Sequence, residues 1–185
     1  MPSPIVLLRH AEKPDPARGI GGVDERGAAD DRSLSVRGWQ RAGALSRWLA
    51  PAEAPGPFGE AAACWAAGTS AVHTSLRPVQ TLVPLARRLG LGLRDDLDSD
   101  EPDGAAAQMP VAGGTLVVAW RQDSLPALAR SVAARLGAPA SIPPQWPADC
   151  FDLLWVFRPH AGGWRFEQHP QRLLDGDRTS GLPLA

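Results

Sequence analysis

Arg9 and His10 follow the apolar run 4–8 (Pro-Ile-Val-Leu-Leu) near the start of the chain, and their types and position suit chemistry on an anion. An arginine beside a histidine can hold a phosphate through charge-assisted hydrogen bonds, and a neutral imidazole can attack its phosphorus. Residues 74–81 (Thr-Ser-Leu-Arg-Pro-Val-Gln-Thr) put a further cation, Arg77, on the first turn of an expected helix. Arg77 reads as a surface arginine of that turn or as an anion clamp, and because a cation is unfavourable at the positive helix end its placement favours an anionic partner. Glu12 and Lys13 come directly after the histidine, with Glu12 placed to orient His10 or Arg77, or to form a surface ion pair.

Positioning such residues requires strands that stop where the polar residues begin. The run 4–8 reads as a buried strand delivering Arg9 and His10 to a sheet edge, the place where open α/β sheets bind ligands. Residues 35–49 carry a helical apolar stripe (Val36, Trp39, Ala42, Leu45, Trp48, Leu49) with Ser35 as its cap. Two short strands are expected at 61–65 and 71–75, the second better placed, which would put His73 on a strand in a structural role. A helix follows with Pro78 tolerated near its start, Val79, Leu82, Val83, Ala86 and Leu89 buried, and a kink at Pro84. Residues 115–120 (TLVVAW) read as a second continuous strand, followed by a helix capped by Ser124 and ended by Gly137. Residues 152–157 and 164–166, around His160-Ala161-Gly162-Gly163, read as a closing hairpin. Strands alternating with helices predict a mainly parallel sheet covered on both faces. The long polar stretch 14–32 reads as a flap over the pocket or a solvated excursion. The tail 172–185 reads as loosely held.

Composition narrows the class. At 185 residues the chain is read as one domain, residues 1–185, large enough to bury a core without staples. A net charge of −1 gives no broad footprint for nucleic acid or an anionic membrane, so an anion site has to be local. Cys64 and Cys150 form no disulfide framework and point to a reducing compartment. No run approaches a membrane span, and the expected setting is a soluble cytoplasmic one. Trp39 and Trp48 fall on one helix and Trp155 and Trp164 in the hairpin, mostly as core or groove fillers.

In order and spacing, RHAEKP (9–14), SLRPVQT (75–81), the WPxDxFDLxW stretch (146–155) and LLxGD (173–177) resemble the histidine phosphatase superfamily, also called phosphoglycerate-mutase-like, over nearly the whole chain. The likeness is strongest to a bacterial branch that begins with RHAEKP. It implies an α/β fold, a three-layer αβα sandwich with a mainly parallel sheet, and a metal-independent phosphoric monoester hydrolase working through phosphohistidine. His10 matches the family nucleophile, and Arg9 and Arg77 match its phosphate clamps. Glu101 is the first choice of proton donor and Asp100 the second, from the acidic run Asp95, Asp96, Asp98, Asp100, Glu101 and Asp103. That run also reads as a solvated acidic loop.

The chain departs from the pattern after strand 115–120. Relatives of this branch read approximately W-x-H-x-x-I-P, whereas this chain has Trp120-Arg121-Gln122-Asp123-Ser124-Leu125-Pro126. Gln122 occupies the second-histidine position, with Arg121 there in an alternative register. Losing a preorganised donor can cost about 10²–10³ in turnover. Two readings follow: a phosphatase of lowered activity, or a catalytically inactive phospho-ligand- or protein-binding module of the same descent. The expected ligand in either is phosphate or a small phosphorylated molecule, with no cofactor and no metal. His73, His160 and His169 lack metal-ligand spacing. The Asp96-x-Asp98-x-Asp100 spacing fails as a calcium loop, because Glu101 replaces the required glycine and Ala107 the bidentate glutamate.

Overall fold

A computed structural model describes residues 1–138 and 141–184. Six strands form one sheet: β1 (Ile5–Arg9), β2 (Ala61–Ala67), β3 (Leu93–Leu97), β4 (Thr115–Trp120), β5 (Leu153–His160) and β6 (Gly163–Pro170). Their order is β3-β2-β4-β1-β5-β6. The first four are parallel, and the β5–β6 hairpin adds two antiparallel strands beside β1. The helices are α1 (Val36–Leu49), α2 (Arg77–Leu89), α3 (Pro102–Gln108) and α4 (Leu125–Leu136).

Alternation along the buried strands sorts side chains into two cores. Val6, Leu8, Val117, Ala119, Leu154 and Val156 face α1 and α2, where Leu45, Leu49, Leu82 and Leu85 cover them. Ile5, Leu7, Leu116, Val118, Trp120, Trp155 and Phe157 face the other way, under Leu125, Leu128 and Val132 of α4 and Ala105 and Ala106 of α3. Every residue of β1 and β4 is buried, as central parallel strands covered on both faces must be. The result is the expected three-layer αβα sandwich.

Several expectations are corrected. The strand is 61–67 and not 71–75; residues 71–75 form bends and loop, and His73 hydrogen-bonds its Nε2 to Asp100 instead of sitting in a sheet. Ala61, Cys64, Ala66 and Ala67 are buried in that strand, whereas Val72 is exposed. The acidic run is not a plain loop: Asp95 and Asp96 lie on edge strand β3, and Glu101 precedes α3. Charge suits such an edge, since it discourages pairing with another chain. Ser124 precedes α4 but accepts the indole N–H of Trp120 (3.0 Å) and caps no helix N–H. The tail is tied down: Asp177 pairs with Arg41, Arg178 with Asp152, and the Leu182 N–H donates to Gln168.

The stretch 14–32 is neither a featureless flap nor a floppy excursion. It contains a 3-10 turn at Pro16–Arg18 and isolated bridges joining Asp15 to Ile20, Gly22 to Ser35 and Val23 to Ala29. The Trp39 indole donates to the Val23 carbonyl (2.8 Å), fastening the excursion to α1.

Candidate active site

Register places the chemistry. Arg9 lies opposite Trp120 where β1 and β4 run side by side, and the His10 N–H donates to the Trp120 carbonyl (3.1 Å). The residues that leave β1 and β4 at their carboxyl ends, Arg9-His10 and Arg121-Gln122, are therefore neighbours. Helix α2 brings Arg77 to the same edge. Arg9, His10, Lys13, Ser75, Arg77, Arg121, Gln122 and Asp123 line one cavity of about 250 Å³.

The polar residues of the two signature segments hold this arrangement. Thr81 accepts the Ala11 N–H (2.9 Å) and donates to the Arg77 carbonyl (2.7 Å), locking the backbone after His10 to the first turn of α2. Gln80 accepts the Leu34 N–H (2.9 Å) and donates to Ser33 Oγ (2.8 Å). Ser35 caps α1 by accepting the Gly38 N–H, while its own N–H and hydroxyl donate to the Glu12 carbonyl. Gly38 is required there, because a side chain would collide with that carbonyl.

His10 is 6% exposed, and its Nδ1 lies 2.7 Å from the Ala11 carbonyl. A carbonyl only accepts, so Nδ1 carries the proton and Nε2 keeps its lone pair. Burial and then the charge of Arg9 lower the imidazole pKa to about 3, with Arg77 and Lys13 adding to the effect and the Ala11 bond opposing it. The ring is neutral at pH 7, in the tautomer that leaves Nε2 nucleophilic. We expect nitrogen NMR of the ligand-free protein to find this Nδ1–H form unchanged down to about pH 4; a transition near the ordinary value of 6.5 would contradict it. The unfolded chain takes this proton near 6.5 and the folded chain only near 3. The stability linked to His10 is thus present above pH 6.5 and drains away as pH falls between those values.

The cations are held differently. Arg9 is 2% exposed, and its Nη1 donates to the carbonyls of Pro147, Ala148 and Cys150 at 3.2, 2.7 and 3.2 Å. Its guanidinium carbon lies 3.8 Å from the centre of the Phe151 ring, and its Nε is buried without a partner. Burial, opposed by Cys150 and assisted by Arg77, lowers its pKa to about 10, so it stays charged at neutral pH. Arg77 donates from Nε to the Ser33 carbonyl (3.3 Å) and from Nη2 to the Asp31 carbonyl (3.1 Å). Its pKa is lowered by burial and then by Arg121, which places two like charges close together. Arg121 itself pairs with Asp123 at 2.9 Å. Four cations and a single carboxylate line the cavity. An oxyanion would relieve both this excess and the unpartnered Arg9 Nε.

Gln122 lines the cavity, but its Nε2 donates to the Trp146 carbonyl (3.0 Å), so one amide N–H is spent away from any ligand. Lys13 and Ser75 also line it, and sequence reasoning assigned neither to the site. Glu101 and Asp100 line neither this cavity nor its neighbour; Glu101 is exposed at the start of α3, and Asp100 is drawn to His73. Glu12 orients neither His10 nor Arg77. It forms a bidentate pair with the buried Arg41 (2.7–3.0 Å) and a second with Arg37 (3.3 Å), because α1 starts directly against it.

Lys13 also lines a second cavity of about 580 Å³, bounded by Pro14, Ile20, Asp149, Phe151 and the Arg41 ion-pair network. Its volume is in the range of small-molecule sites. Among the described residues, no three His, Cys, Asp or Glu side chains gather to hold a metal. Among the same residues, no helix is long and apolar enough to cross a membrane.

No protein-family model matches the sequence, and no curated protein matches it. Solved structures do match. The protein histidine phosphatase SixA, solved with tungstate, is 16% identical over 91% of this chain and 97% of its own, with a TM-score of 0.52. Mycobacterial hydrolase 1 is 17% identical over 91% of this chain and 97% of its own (TM-score 0.49). YhfR of Bacillus stearothermophilus is 14% identical over 95% and 98% (TM-score 0.45). The likeness to SixA is one of fold, and the six-stranded sheet between its helical layers is a histidine phosphatase, or phosphoglycerate-mutase-like, fold.

Proposed function

We propose that this chain is a phosphomonoesterase that passes the phosphoryl group through His10. The observation that carries this reading is a neutral, buried imidazole with a free Nε2, lining one small cavity together with Arg9, Lys13, Arg77 and Arg121. In the first step Nε2 attacks phosphorus and the alcohol leaves. In the second, water displaces the phosphoryl group from the ring. The proton stays on Nδ1, donated to the Ala11 carbonyl throughout, which steadies the positive charge the ring gains on attack. Arg9 and Arg77 bind phosphate oxygens in bonds of roughly 1.5–3 kcal/mol each. The tungstate held by SixA supports an oxyanion of phosphate shape as ligand. Both cysteines are free of a disulfide and buried, which fits a cytoplasmic setting.

The charge missing with the second histidine comes, in this reading, from Arg121, which leaves Asp123 when phosphate arrives. The restraint on Gln122 favours this division of labour. We expect Arg121→Ala to lower kcat on an aryl phosphate by about 10²–10³, and Gln122→Ala by less than tenfold. Trapping of labelled phosphate on His10 in the wild type would support the enzyme. The binding-module alternative rests on the same displaced amide. It prevails if the wild type binds phosphate, turns over no phosphomonoester and gains turnover in Gln122→His.

A further inference from the structure

Turnover of an ordinary alkyl ester needs a proton for the departing alkoxide, and neither acid singled out from the sequence reaches the cavities. Among the carboxylates that do, Glu12 and Asp177 are neutralised by Arg41 and Arg37, Asp152 by Arg178, and Asp123 by Arg121 until phosphate draws that arginine away, after which Asp123 Oδ1 still accepts the Ser124 N–H (3.1 Å). Asp15 and Asp149 have no ion-pair partner among the described residues. Asp15 belongs to the 3-10 excursion, which it opens in a bridge with Ile20. Asp149 stands in a different relation to the chemistry. The carbonyls on either side of it, Ala148 and Cys150, both accept from Arg9 Nη1, so the Asp149 backbone is strapped to the guanidinium next to the nucleophile. Two residues on, Phe151 covers the Arg9 guanidinium and comes within 6.2 Å of the His10 ring, centre to centre. Asp149 is close enough for its charge to act on Arg9, and it lines the larger cavity, which shares Lys13 with the phosphate site.

We propose that Asp149 is the proton donor to the leaving group, presented by the strapped 147–150 segment where the two cavities adjoin, with the larger cavity taking the alcohol half of the substrate. This rests on the phosphomonoesterase reading and names the residue that reading lacks. In the first step His10 Nε2 forms a bond to phosphorus as the P–O ester bond breaks. The electron pair of that bond stays on the departing oxygen, which takes the Asp149 carboxyl proton and leaves as the alcohol. In the second step a water oxygen attacks phosphorus and gives a proton to the Asp149 carboxylate. The P–N bond breaks, its pair returns to Nε2, and inorganic phosphate departs. The sum is ester plus water giving alcohol plus phosphate.

A general acid matters in proportion to how badly the leaving group needs a proton. Wild type and Asp149→Asn, which are isosteric, are to be compared on ethyl phosphate and on 4-nitrophenyl phosphate, whose phenolate leaves without help. The expected result is a kcat loss of about 10²–10⁴ on ethyl phosphate and less than tenfold on 4-nitrophenyl phosphate, with partial recovery of the ethyl ester in Asp149→Glu. Equal losses on both esters, or none on either, overturn the assignment while leaving the phosphomonoesterase reading in place. So does a selective loss in Glu101→Gln or Asp123→Asn that Asp149→Asn lacks. A wild type inert on both esters overturns the phosphomonoesterase reading itself, and this assignment with it.

Discussion

Replacing His10 with alanine should abolish phosphomonoester turnover, with kcat falling by roughly 10⁴–10⁶, because no other side chain lining the phosphate cavity is a nucleophile placed to replace a neutral imidazole. Ser75 carries a hydroxyl, which accepts the Arg77 N–H (3.4 Å), and among the described residues no base hydrogen-bonds to it. Phosphate affinity should behave differently. His10→Ala keeps Arg9, Lys13, Arg77 and Arg121, so phosphate or tungstate should bind it within a few-fold of wild type by calorimetry. Arg77→Ala removes one charge-assisted partner and should weaken that binding by about 10–10², the equivalent of 1.5–3 kcal/mol. Residual turnover in His10→Ala above one part in a thousand would mean that the phosphoryl group does not travel through this ring. Unchanged affinity in Arg77→Ala would mean that the anion sits elsewhere.

Arg41→Ala should be the most destabilising single change near the site. All five guanidinium N–H groups are engaged: Nε on Glu12, Nη1 on Gln171 and Asp177, and Nη2 on Glu12 and Asp177, at 2.7–3.0 Å. The side chains of Arg41 and Asp177 are only 2% and 3% exposed. Truncating the arginine leaves two carboxylates with little water to receive them and only the half-exposed Arg37, at 3.3 and 3.9 Å, as a cation, a change that costs about 3–5 kcal/mol. In a domain of this size that lowers Tm by roughly 6–20 °C. Thermal unfolding of the variant at pH 7 checks this, and a loss under 1 kcal/mol would refute it. Acid attacks the same cluster. Burial pushes the Asp177 pKa up, but the Arg41 hydrogen bonds and the N–H groups of Leu173 and Leu174 outweigh it and hold the group below its ordinary value. Its stabilisation is present above that ordinary value and is lost as pH falls through the lower, folded one.

What could be read from the sequence divides along physical lines. Strands β1 and β4 were legible because uninterrupted apolar runs have few alternatives, and the start of α1 because Ser35 precedes a clean helical stripe. Strand β2 was less legible, since Ala61–Ala67 is built from small residues whose burial comes from neighbours and not from their own pattern. Strand β3 was hidden by its charges: an edge strand with Arg94, Asp95 and Asp96 looks like a loop. Arg9, His10 and Arg77 could be paired in advance because their segments are distinctive. Lys13 and Asp149 could not, since only the fold brings residues of β1, α2 and the 147–150 segment to one edge. Arg41 sits on a helix face where an arginine is usually solvated, and nothing local signals that it meets Glu12 and Asp177.

The same Arg41 contacts bear on how the protein comes into being. Residues 12 and 41 emerge from the ribosome long before residue 177, yet the guanidinium needs both carboxylates to be fully satisfied. Until residue 177 arrives, the nascent chain carries a half-neutralised arginine beside the loop that bears the imidazole. Phosphate-handling competence should therefore switch on only once residue 177 has emerged, and a chain stalled before it would be a target for proteolysis instead of a slow enzyme.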